Sequence, residues 1–174
     1  MSQSSRVDTP LPAKDSSRPG ALKAARILSL MAAAAGMTAG ITALADGKRT
    51  IHEFVTNTIG ASSDSELVAG LIDQEINAAY SLLATKASVV LASAVLVALM
   101  ALAAGRGKRV VRVLLTMFLV THVLVSGLLG METEVLPELS IIGAFLAVML
   151  SLVTVPLLLT PAVRRFGSRD ASGS

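Results

Sequence analysis

The chain of 174 residues has no cysteine, no tryptophan, a single tyrosine and only 3% aromatic residues. Without cysteine, thiol–disulfide exchange, acylation at cysteine and thiolate metal sites are all excluded. The sequence pI near 9.7 would fit nucleic-acid binding. However, the basic residues stand in short blocks beside apolar runs and stacking side chains are scarce, so no nucleic-acid partner is expected. Charge is sparse as well, at 16%, where a soluble domain carries about a quarter. A soluble class is therefore disfavoured before any pattern is read.

Apolar sequence is what remains: 53% of the residues, with a mean hydropathy of +0.70. Stretches free of Asp, Glu, Lys and Arg cover 27–45, 87–105, 113–131 and 139–163, together 82 of the 174 residues. Each exceeds the roughly 18 apolar residues needed to cross a bilayer core. The expected fold is all-α, an integral membrane four-helix bundle over 27–163. Its spans are placed at about 27–45, 80–105, 110–131 and 139–163, with an extracytoplasmic amphipathic helical loop at 46–79. The segments 1–26 and 164–174 read as cytoplasmic tails, the first disordered because Ser-rich sequence with Pro10, Pro12 and Pro19 cannot bury enough apolar surface.

Ala43-Leu44-Ala45 before Asp46, with basic residues upstream, also fits a cleavable secretory signal. The lead of 26 residues is long for one and the apolar run is longer than usual, so an uncleaved first span is the expectation. Orientation follows from Lys and Arg: five lie in 1–26, four in 106–112 and three in 164–174, against Lys48, Arg49 and Lys86 on the other side. The positive-inside rule then puts both termini in the cytoplasm of a multi-pass plasma (inner) membrane protein.

The loop has its own pattern. Ile51, Phe54, Val55 and Ile59 fall at helical spacing, which predicts a short amphipathic helix over 50–59. Gly60-Ala61-Ser62 breaks it, and Ser63 with Glu66 reads as a capping box opening a second helix. Val68, Ile72, Ile76, Ala79 and Leu83 stripe that helix, and no proline interrupts it before the second span. One long helix, or two with a kink, is predicted there. Lys86 and Tyr80 are read as anchors at the outer interface, the lysine snorkelling on its methylene stem.

Inside the spans the one ionisable side chain is His122, tenth of the 19 residues between Arg112 and Glu132. An ionisable residue at that depth is a functional candidate, for proton transfer or substrate grip. It is equally served by a neutral ring sharing a hydrogen bond, with Ser93, Ser151 and Thr154 as partners by depth. The absence of membrane-embedded carboxylates disfavours proton-coupled exporters and intramembrane aspartyl enzymes. Two histidines cannot make a histidine metal cluster, and the loop carboxylates match no calcium loop. No catalytic residue, cofactor or metal is therefore expected, and the chain is not read as an enzyme. Ala32, Gly36 and Gly40 on the first span, and Gly143, Ala147 and Ser151 on the fourth, recur every four residues as stripes that let helices approach closely. Pro156 should kink the fourth span, and Pro161 with Arg164-Arg165 should end it.

Gly105-Arg106, then Arg112-Val113-Leu114-Leu115-Thr116, and about 45 residues later Leu158-Leu159-Thr160-Pro161-Ala162-Val163-Arg164-Arg165-Phe166 carry a resemblance. Over roughly the last 70 residues the chain resembles uncharacterised small four-span membrane proteins of actinobacterial type. That resemblance implies the four-span topology and brings no catalytic residue with it.

The functional expectation is a non-enzymatic accessory or interaction subunit of a bacterial inner membrane. Its partners would be the lipid bilayer and a membrane protein or further copies of itself. The alternative is a small oligomeric channel, holin-like or transport protein built around His122. A sensor reading the outer loop is not separable from the first by sequence.

Overall fold

The computed structural model describes residues 20–59, 66–104 and 109–160. Residues 1–19, 60–65, 105–108 and 161–174 lie outside it, and with them the disordered-tail reading, the Ser63 capping box, the Gly105-Arg106 turn, Pro161 and the Arg164-Arg165 pair.

Four helices follow in chain order: α1 (Gly20–Ile59), α2 (Glu66–Ala103), α3 (Arg109–Gly130) and α4 (Glu138–Leu159). Each is long and apolar enough to cross a membrane. Helix α1 packs on α2 and α4, and α3 packs on the same two, so α1 and α3 face each other across the diagonal of the bundle.

The packing inverts the soluble pattern. Small residues point inward: Ala25, Ala32, Ala33, Ala35, Ala39 and Ala43 of α1 are all buried. Large ones point outward, among them Ile27, Met31, Leu99, Met117 and Phe145. Lipid is as apolar as leucine, so helices in it associate through close backbone contact rather than by hiding large side chains. A Cβ added at Gly143 would lie 2.9 Å from the Ala35 carbonyl oxygen, and one at Gly40 would lie 2.6 Å from Leu91 Cγ. These glycines set how near α1 comes to α4 and to α2.

Two apolar clusters fill the bundle. One holds Leu22, Ala33, Val97, Leu115, Leu119 and Leu158. The other holds Ala43, Ile51, Ile76, Leu83, Leu129 and Leu136.

Two sequence expectations need correction. The helix predicted over 50–59 is not a separate element, because α1 runs unbroken through the charged stretch Asp46–Arg49. Lys48 and Arg49 are good helix formers, and Arg49 Nε donates to Glu53 Oε1 at 2.8 Å one turn on, so nothing local stops the helix. Likewise α2 is one helix from Glu66, without a boundary near residue 80. The segment placed as an outer loop over 46–79 is thus largely helical hairpin, built from the far ends of α1 and α2.

That hairpin projects. Thr42 Oγ1 lies 2.5 Å from Ser140 Oγ, which levels residue 42 of α1 with the start of α4. Seventeen further residues of α1 continue past this point, about 25 Å of helix. Ile51 and Ile76 are buried between the two helices, and Val55, Ile72 and Tyr80 pack beside them. Phe54 and Ala79, assigned to the same apolar stripes, are exposed.

The ends of α4 follow from its prolines. Pro137 takes the N-cap position and Glu138 places a carboxylate in the first turn, where the helix dipole favours it. Thr160 leaves the helix at φ −58°, ψ 143°, as the residue before Pro161 must. Pro156 sits one turn before that end, inside α4.

A candidate polar site inside the bundle

His122 is fully buried, on the face of α3 that looks into the bundle. Its Nδ1 lies 2.8 Å from Ser93 Oγ of α2. The same Ser93 hydroxyl lies 2.8 Å from the Val90 carbonyl and donates to it. On the opposite side the ring reaches α1. A Cβ built on Gly36 would stand 2.5 Å from His122 Cε1 and 2.7 Å from Nε2. Only glycine leaves room for the imidazole there, so His122 spans the diagonal and ties α3 to both α1 and α2.

The surrounding layer is small by composition. Ala94 Cβ lies 3.4 Å from the same built Gly36 Cβ, and Ala32 and Ala94 are completely buried. One bulky polar ring thus sits among Gly36, Ser93 and Ala94. None of these residues belongs to either apolar cluster except through neighbours. The ring's Nε2 is buried and makes no hydrogen bond of full geometry, although the Ala32 carbonyl is an acceptor within its reach.

The other expected partners of His122 are not brought to it by any hydrogen bond. Thr154 Oγ1 donates to Leu150 O of its own helix at 2.7 Å. Ser151 Oγ is buried without a partner, as is Ser126 Oγ one turn from His122 on α3. Ser151 lies four residues beyond Ala147, and both are fully buried.

At the base of the hairpin a second set of polar contacts links elements. Lys86, read as a snorkelling anchor, instead forms an ion pair with Glu132 of the α3–α4 connection. Tyr80 Oη donates to the Leu44 carbonyl at 3.0 Å, tying α2 to α1. Sequence reading missed Glu132 because the pair joins a helix to a loop 46 residues away, which no periodicity encodes. The Thr42–Ser140 contact was missed for the same reason.

Among the described residues, no three His, Asp or Glu side chains converge as metal ligands would. Comparison with protein-family models, with curated proteins and with solved structures finds no match to this chain.

Proposed function

We propose that this chain is a non-enzymatic multi-pass protein of a bacterial inner membrane, an accessory or interaction subunit with both termini in the cytoplasm. The observation that carries this reading is the projecting hairpin. Two helices run about 25 Å past the start of α4 and bury Ile51 and Ile76 between them. Their outer faces display Lys48, Arg49, His52, Asp73, Gln74, Glu75 and Asn77. A stiff, polar-faced arm on a four-span base suits presentation to another protein. The Lys and Arg distribution supports placing that arm outside the cell membrane, because twelve of the fifteen fall on the other side of the spans. The resemblance to small actinobacterial four-span proteins belongs to the same reading.

Cleavage after Ala45 fits poorly with this reading. It would cut a continuous helix and remove Gly36, the wall of the His122 layer. A channel or transport role is the weaker reading, since the imidazole lies across the bundle diagonal against the α1 backbone and obstructs an axial path within one copy.

Purification in mild detergent tests the proposal. A stoichiometric partner is expected with the native chain. It should be lost when Asn57, Asp73 and Glu75, all exposed on the arm, are replaced by alanine. A pure homo-oligomer that passes ions after reconstitution into liposomes would overturn it.

A further inference from the structure

The hydrogen-bond pattern around His122 has a protonation consequence. Ser93 has one hydroxyl hydrogen and two neighbours at 2.8 Å, the Val90 carbonyl and His122 Nδ1. A carbonyl oxygen can only accept, so the Ser93 hydrogen goes to Val90 and the Ser93 oxygen accepts from Nδ1–H. A neutral ring with its hydrogen on Nδ1 leaves Nε2 as a bare lone pair. That nitrogen is buried, has no donor, and is turned toward α1, where the Ala32 carbonyl is in reach. Two acceptor atoms then face one another in an apolar interior, the costly arrangement for buried polar groups. A proton on Nε2 resolves this, because both ring nitrogens then donate to acceptors already in place.

We infer that the Ser93–His122–Ala32 arrangement is a proton-binding site inside the bundle, taking up one proton at His122 Nε2 with Ser93 Oγ and the Ala32 carbonyl as its acceptors. The opposing influence is the cost of a charge in a low-dielectric interior, and the two preplaced acceptors offset part of it. No other charged group of the described residues crowds the site. On α1 the nearest in sequence to Gly36 are Arg26 and Asp46, each ten residues away, about 15 Å along a helix. On α2 it is Lys86, seven residues from Ser93 and paired with Glu132. Helix α4 has none after Glu138, and on α3 Arg112 and Glu132 each lie ten residues from His122. Proton uptake here is governed by the two acceptors and by burial.

With only two histidines in the chain, the test is clean. His52→Gln leaves His122 as the sole imidazole, and ¹⁵N NMR of the full chain in nanodiscs reads the state of each ring nitrogen. On lowering the pH from about 8 to 4 with the helices intact by circular dichroism, both nitrogens should become N–H, reversibly. Ser93→Ala, which removes one acceptor, should weaken proton uptake by about tenfold, the scale of one charge-assisted hydrogen bond. Ser93→Thr, which keeps the hydroxyl, should restore it. A ring that stays in one neutral tautomer over the whole range, or that titrates identically with and without the Ser93 hydroxyl, would overturn the inference.

Discussion

At the scale of single residues, the structure rests on a size match. Gly36 and His122 are in contact because one has no side chain and the other has a flat, polar one. Gly36→Ala puts a carbon 2.5 Å from the ring. It is expected to cost about 1–3 kcal/mol, the usual range for overpacking a filled interior. In Gly36→Ala/His122→Ala most of that added cost should vanish. Thermal unfolding in detergent of the two singles and the double gives the coupling energy, and additive effects would mean that the two do not touch. Gly127→Ala is the control, since an added Cβ there meets nothing within 4 Å. It should be neutral or mildly stabilising.

A second comparison separates packing from proton chemistry at the same residue. His122→Gln keeps an acceptor and a donor at that depth, so stability should be almost unchanged. His122→Leu loses the bond to Ser93 and should cost roughly 1 kcal/mol of helix association, the scale measured for such bonds in lipid. The same thermal unfolding measurements decide this, and equal losses in both variants would show that the ring's shape, not its hydrogen bond, is what matters. His122 itself was legible in the sequence, because an ionisable residue amid a charge-free span stands out. Which hydroxyl it meets was not. Depth along the span admitted Ser93, Ser151 and Thr154 alike, and rotation of each helix about its axis picks out Ser93 alone as its hydrogen-bond partner.

At the scale of the helices, the spans were readable and their far ends were not. Charge-free runs mark where a helix crosses lipid, because an unpaired charge there is costly. Nothing equivalent marks where a helix stops once it reaches water. Asp46-Gly47-Lys48-Arg49 has the look of a boundary, yet α1 continues through it. Gly47 faces Leu83 of α2, with a built Cβ 2.7 Å from Leu83 Cδ2, so that glycine marks a close helix contact rather than a turn. The apolar stripe of α2 was partly legible: Ile76 and Leu83 are buried and Ile72 is half-buried, whereas Ala79 is exposed.

The arm therefore depends on few buried side chains, and Ile76 is the most exacting. Ile76→Asp places a carboxylate where only 2% of the residue is exposed. It should open the arm by several kcal/mol, the scale of burying an unpaired polar group. Asp73→Ala and Asn77→Ala, both on the exposed side, should change little. Hydrogen exchange over 46–58 and 70–82 reads this directly. Protection lost with Ile76→Asp and kept with the other two is the expected result. Equal protection in all three would mean that the arm is not held by its own core.

At the scale of the whole molecule, four helices with small residues inside and large ones outside belong in a membrane, and a two-helix arm continues beyond two of them. Two apolar clusters flank the layer that holds His122, and the Lys86–Glu132 pair joins the base of the arm to the α3–α4 connection. Both partners of that pair are about one-third exposed or more, so it fixes geometry more than it adds stability. The central claim is the placement of this arm outside the membrane with both termini within the cell. Because the chain has no native cysteine, single cysteines report position without background. In intact cells, cysteines at Asn57 and Asn77 on the arm should react with a membrane-impermeant maleimide, and one at Gly107 should react only after permeabilisation. Labelling at Gly107 in intact cells, with Asn57 and Asn77 protected until the membrane is opened, would contradict the account.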